Sequence, residues 1–268
     1  MKPNSTSHSE TRVSVAAKIG AAAWIVAAAQ FLVVHLVVQS AWRTPYSWAG
    51  NNISDLGNVQ CRIWDDSRPR YVCSPLHAAM NTSFVVHGLL LLVGTLLTGT
   101  GWGRGWLSTT ARILFALNAG AWVLVGLVPA DVNENLHVLG ALIIMGLGNI
   151  GLVCAGFASG ASPFGKLRGI TFAVAAPAVV AAGMFFGQYD PGTGLGALER
   201  IAAFALDAWT LVMAVAIFRL SRKAEAGRGR PSSPRPSREP GEPDHLAVRS
   251  PGSRVTTSGR RRRSSASR

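Results

Sequence analysis

Charge is the first thing this chain is short of. Charged residues make up 15% of its 268 positions, where a soluble domain usually carries about a quarter. With 49% hydrophobic residues, that shortage argues against a soluble globular protein. Cysteine is scarce as well. Three of them, Cys61, Cys73 and Cys154, are too few for a disulfide scaffold. Motifs that advertise chemistry are also missing. There is no H-E-x-x-H, no paired-histidine metal spacing and no nucleophile elbow, and no convincing internal repeat. Three N-x-S/T sequons, at Asn4, Asn52 and Asn81, read as chance matches.

The charge that exists is unevenly placed. From Arg219 to Arg268 there are fourteen Lys/Arg against four Asp/Glu, a balance of +10, while residues 1–218 carry twelve against nine, a balance of +3. The basic excess therefore belongs to the C-terminal segment, and no specific nucleic-acid binding by the body is expected.

Long apolar runs are what the chain has in abundance. A membrane span needs about 20 mostly apolar residues, and six stretches qualify: 19–39, 76–98, 111–129, 136–156, 169–187 and 199–220. The first is too long for the apolar stretch of a cleavable signal peptide and lacks a clean small-x-small site after it. The pattern predicts an all-α polytopic transmembrane bundle of six spans. It divides into an N-terminal segment 1–18, a membrane domain 19–220 and a tail 221–268. The tail is rich in Pro, Gly, Ser and Arg, buries too little apolar surface to offset ordering entropy, and is expected to be disordered. Its expected partner is anionic lipid, attracted by runs such as Arg260 to Arg263; a solvated tail with no partner is the alternative.

Lys and Arg in short loops set the orientation. Lys2, Arg12 and Lys18, then Arg104 and Arg112, then Lys166 and Arg168, and finally the tail alternate correctly to share one side, the cytoplasm. The loops around Asp131 and Glu134 and around Asp190 then face outward. So does the long first loop, which mixes Arg43, Arg62, Arg68 and Arg70 with Asp55, Asp65 and Asp66. This places the chain in the cell membrane with both termini cytoplasmic, in contact with the lipid bilayer. Cys61 and Cys73 fall together in one external loop, where an oxidising compartment lets them pair. Six glycines, Gly140, Gly146, Gly148, Gly151, Gly156 and Gly160, thread the fourth span and its end, where small residues let helices approach closely.

Polar residues collect at the external end. Ser54 and Asp55 lie in the first loop. His77 and Asn81 share a face of the second span. Asp131 and His137 lie at the entry to the fourth, and Glu199 with Arg200 opens the sixth. These eight are the candidate pocket. Asp131 and Asn133 suit helix N-caps, and Glu199 suits a positive helix N-terminus. His35 sits just below the outer end of the first span. Two residues lie deeper. His87 is about 15 Å into the second span and Asp207 about 12 Å past Glu199, at 1.5 Å per residue. A carboxylate at the midplane needs a proton or a partner. His87 is the ionisable candidate, with Asn118 and Asn149 as neutral ones.

The run Asn52-Ile53-Ser54-Asp55-Leu56-Gly57, then Ser74-Pro75, Asn81-Thr82-Ser83-Phe84 and Gly88, then Pro129-Ala130-Asp131 before His137, and finally Glu199-Arg200, resembles a prokaryotic membrane-protein family, domain of unknown function 998. The resemblance spans roughly residues 19–220. It implies a multi-span helical membrane protein, with no assigned activity and no catalytic residues to carry over. The long cysteine-containing insert between Gly57 and Ser74 departs from the short linker expected there. Three functions stay open. The leading one binds or transports a small ligand or ion in the outer pocket, with Arg200 holding an anionic group. A second is a metal-dependent hydrolase of a lipid or envelope precursor using His77, His137 and Asp55. The third is a non-catalytic assembly or sensory subunit. Catalytic residues, cofactor and metal all remain open.

Overall fold

The computed structural model describes residues 13–65, 68–158 and 160–228. Helix α1 (Val15–Ser40) leads into a long loop holding a 3-10 turn (Ser54–Gly57) and a small hairpin of β1 (Arg62–Trp64) and β2 (Arg70–Val72). Then come α2 (His77–Leu97), α3 (Trp106–Leu127), α4 (Glu134–Leu142), a π turn (Ile143–Leu147), α5 (Gly148–Phe157), α6 (Arg168–Phe186), α7 (Leu195–Ala203) and α8 (Ala205–Arg228). α4, the π turn and α5 form one span, and α7 and α8 another. Six helical segments are thus long and apolar enough to cross a membrane.

Local chemistry explains where the observed ends differ from the expected ones. α1 begins at Val15, four residues early, because the Ser14 hydroxyl accepts from Ala17 N at 3.1 Å and caps it. α3 begins at Trp106 after Gly105, whose φ of 122° lies in the region that favours glycine. The last helix does not stop at Leu220. It runs on to Arg228, and its extra turns are tied down. Glu225 accepts from Ser221 Oγ at 3.0 Å and from Lys18 Nζ, on α1, at 2.8 Å. The rest of the tail, expected to be disordered, lies outside the described residues, as do positions 1–12. Among the described residues, the hairpin is the one sheet in an otherwise helical chain. It pairs Arg62 with Val72 and Trp64 with Arg70 antiparallel, and a Cys61–Cys73 disulfide closes its open end.

The bundle core is aromatic. Toward the end carrying Arg228, Trp24, Trp102, Phe115, Phe164 and Trp209 meet edge-on or tilted at 5.3–6.1 Å. Toward the loop end, Phe31 is the hub, touching Phe84, His87, Trp122 and Phe204. Close helix approach needs small residues. A Cβ at Gly88 would collide with the Ala119 carbonyl and Val123 of α3. In the fourth span, Gly140, Gly148, Gly151 and Gly156 each receive a side chain (Val125, Asn118, Phe115 and Phe172), while Gly146 and Gly160 face open space.

The π turn and the break at Phe204 both lie inside their spans, where unpaired carbonyls are costly. Asparagines answer them. Asn118 Nδ2 donates to Ile144 O of the π turn at 2.9 Å. Asn149 Nδ2 donates to Met145 O at 2.7 Å and to Ala202 O, beside the interruption at Phe204, at 3.0 Å.

Candidate functional site

Most of the expected pocket residues are committed to holding the long loop against the helix ends. Asp55 is fully buried. It takes a bidentate grip from Arg70, Nη2–Oδ1 2.6 Å and Nε–Oδ2 2.7 Å, plus Asn51 Nδ2 at 3.1 Å and Asn52 N at 3.0 Å. Arg70 also reaches Asp65 at 3.2 Å. Burial opposes the charge of Arg70, but the hydrogen bonds to Asp55 and that carboxylate's charge outweigh it and raise its pKa. Asn81 Nδ2 donates to Gly57 O at 2.9 Å, and Ser74 Oγ to Leu56 O at 2.7 Å. His77 Nδ1 meets Ser74 O at 3.0 Å. Asp131 accepts from Gln60 N at 2.7 Å, so it anchors the first loop and does not cap the fourth span. Asn133 is the cap, accepting from Leu136 N at 3.1 Å.

Arg200 departs most from expectation. Its guanidinium is buried, and Nη1 donates to the carbonyls of Trp48, Asn51 and Gly196 at 2.9, 2.7 and 2.8 Å. Nη2 donates to the Tyr46 hydroxyl and lies 3.5 Å from His35 Nε2. The Trp48 and Tyr46 rings flank it at 5.0 and 5.5 Å. Burial pushes the Tyr46 phenol above its ordinary range. Among the described residues, only Nε finds no partner. The arginine expected to hold an anion instead gathers loop carbonyls. The trio His77, His137 and Asp55 is not assembled either. Among the described residues, no three His, Cys, Asp or Glu side chains gather to hold a metal.

Three of the eight do meet in one cavity. Ser54, His137 and Glu199 line a space of about 30 Å³ with apolar walls that include Phe84, Trp122, Val125 and Ala203. That is room for about one water molecule. Glu199, in the second turn of α7 and not at its terminus, accepts from Ile53 N at 2.7 Å through Oε2. Its Oε1 has no hydrogen-bond partner among the described residues. His137 Nδ1 lies 2.8 Å from Val128 O. A carbonyl only accepts, so Nδ1 carries the hydrogen, and the neutral ring presents Nε2 as a bare lone pair. The cavity therefore holds a buried carboxylate and an imidazole, each with an unused valence.

Trp122 lines the cavity and also lies 4.9 Å from the His87 ring, with Phe31 at 4.6 Å from the same ring. His87 Nε2 stands 3.3 Å from Asp207 Oδ1, and its Nδ1 lies 3.1 Å from Ala27 O. The same argument puts hydrogen on Nδ1. Among the described residues neither His87 Nε2 nor Asp207 Oδ1 has a hydrogen bond, so they face each other at ion-pair distance with no other polar partner. Asp207 also borders a groove of about 300 Å³ between α1 and α8, walled by apolar residues such as Leu32 and Leu211. Asn118 and Asn149, the alternative partners for Asp207, serve the broken backbone instead.

Arg70, Tyr46 and Trp48 are the site residues that sequence reasoning missed. Only Arg70 left a trace, as a base in a mixed loop.

A bundle of this kind, with six apolar spans, is an integral, multi-pass membrane protein. The chain belongs to the family described as Protein of unknown function (DUF998), whose model matches residues 25–216. No curated protein and no solved structure matches it.

Proposed function

We propose that this protein binds or transports a small ligand or ion at the Ser54–His137–Glu199 cavity, with protonation of buried groups as part of its cycle. The observation carrying this reading is the pairing of two unused valences in one cavity, Glu199 Oε1 and His137 Nε2, above a second histidine–carboxylate pair. The eight residues from Glu199 to Asp207 span about 12 Å. Chains of Asp, Glu and His at membrane depth are the usual material of proton relays. The cavity faces outward, with both termini cytoplasmic and the chain in the cell membrane. Support for that orientation comes from the basic residues gathered at the opposite end and from the disulfide in the loop that covers the cavity.

Vesicles containing the purified protein, loaded with a pH-sensitive dye and energised by a potassium diffusion potential, test this reading. Proton movement should exceed that of empty vesicles and be lost in Glu199→Gln. Movement equal to that of empty vesicles, with or without Glu199, would remove it. Reporter fusions at Gln60 and Asn133 should report outside and at Gly103 inside; a cytoplasmic signal at Asn133 breaks the orientation.

The assembly reading draws on a different observation. Asp55, Asn81 and Arg200 are consumed in fastening the loop. Activity in a partner complex that survives Glu199→Gln and His137→Ala would favour it.

A further inference from the structure

At the end opposite the loop, α6 and α8 part to leave a groove of about 570 Å³, within the size range of small-molecule sites. Its α8 wall is a stripe of one face, Leu211, Val215, Arg219 and Lys223, spaced four apart. The stripe runs for about 18 Å at 1.5 Å per residue. It is apolar toward the middle of the span and cationic toward the end. The opposite wall repeats this gradient, with Ile170 deeper and Lys166 in the turn Gly165–Leu167 at the end. A second space of about 300 Å³ adjoins it and shares Lys166 and Lys223. All three cations are exposed. Among the described residues no carboxylate pairs with any of them, although Lys18 on the same end is paired with Glu225.

A surface cation with no counter-charge is ordinary. Three that converge on the open end of an apolar groove, along the membrane normal, are a different matter. The arrangement has the polarity of a phospholipid: chain-length apolar wall below, positive ring at headgroup height. Lysine is a good point-charge partner for phosphate, and arginine adds a forked donor. A neutral or cationic lipid would leave the three charges unanswered. A soluble anion would leave the apolar wall unused.

We propose that this groove is a binding site for one anionic phospholipid, its phosphate held by Lys166, Arg219 and Lys223 and an acyl chain lying between α6 and α8. The site belongs to the folded body and does not need residues 229–268. It is independent of the cavity at the other end.

The full-length protein is purified into detergent and exchanged into mixed micelles containing phosphatidylglycerol or phosphatidylcholine, and bound lipid is counted by native mass spectrometry. One phosphatidylglycerol should be retained in preference to phosphatidylcholine. The triple variant Lys166→Gln, Arg219→Gln, Lys223→Gln should lose that preference by roughly 100-fold, from about a factor of five per base. Ala216→Phe, which places a ring in the groove and keeps all three charges, should weaken phosphatidylglycerol as well. Substituting Arg260 to Arg263 with glutamine should leave binding unchanged, and inorganic phosphate should not compete at equal concentration. The proposal fails if the triple variant binds phosphatidylglycerol like the parent, or if the Arg260–Arg263 variant alone abolishes binding. Competition by inorganic phosphate together with no effect of Ala216→Phe would mark an ion site without a lipid.

Discussion

His87 and Asp207 make the most exposed commitment of the structure. At 3.3 Å and an effective dielectric of about 20, the gross attraction of an ion pair is roughly 5 kcal/mol. Desolvation consumes much of that, so the net value of the pair is small. Removing one partner is a different experiment, because it strands the other. His87→Phe keeps a ring against Phe31 and Trp122 but leaves Asp207 alone and deletes the bond to Ala27 O. It should cost about 3–5 kcal/mol. Asp207→Asn keeps a donor for Nε2 and should cost only about 1 kcal/mol. The double variant His87→Phe with Asp207→Leu removes both polar groups and should recover most of the loss. Thermal unfolding in detergent reads these three and the Asp207→Leu single, at about 2–4 °C per kcal/mol. If the double variant is as unstable as the sum of its singles, the two side chains are uncoupled and the reasoning is wrong. The same variants separate two roles. A stable Asp207→Asn protein that has lost proton movement indicates a relay, and one that is merely less stable indicates a clasp between the second and sixth spans.

Three further outcomes are expected. Arg70→Ala should leave Asp55 buried without its fork, cost about 3–5 kcal/mol, and expose the peptide between Gly57 and Ser74 to protease; Arg70→Lys should rescue little because one ammonium cannot make both contacts, and protease resistance equal to the parent's would count against the clamp. Membranes prepared with an alkylating agent should yield a Cys61–Cys73 linked peptide without reductant, and full alkylation of both thiols would refute the bond. Asp190 takes hydrogen bonds from the Gly194 and Gly192 amides at 2.8 Å each, which lower its pKa. A lowered folded value means its contribution to the 190–194 turn is fully present above the ordinary aspartate pKa and lost as pH falls through the folded one. Resonances of those two glycine amides should titrate below the ordinary aspartate midpoint, and titration at or above it would contradict the geometry.

The six apolar helices and the matching heights of His87 and Asp207 along them were readable because both follow from one-dimensional rules, run length and rise per residue. The partners of Arg200 were not, because backbone carbonyls leave no signature in a sequence. The hairpin escaped notice for a related reason. Its strands are three residues each, Arg62–Trp64 and Arg70–Val72, too short to show alternation. Its second strand carries Arg70, the base that meets Asp55. Of the expected pocket, the residue types and their place at one end of the bundle were legible. The separation of Glu199 and His137, which face a cavity, from Asp55 and Arg200, which hold the loop, depends on which way each side chain points.

A π turn inserts one residue into a helical ladder, and the phase of everything beyond it shifts by about 100°. Ile143–Leu147 stands between His137 and Asn149. The compass bearing of His137 toward Glu199 is therefore set by that extra residue, while Asn149 keeps its bearing toward Ala202. Were the turn to slide along the span, or to lose a residue, the upper half of the helix would swivel on the lower and carry His137 away from the carboxylate. The Asn118 bond to Ile144 O is the detent that holds the swivel in place.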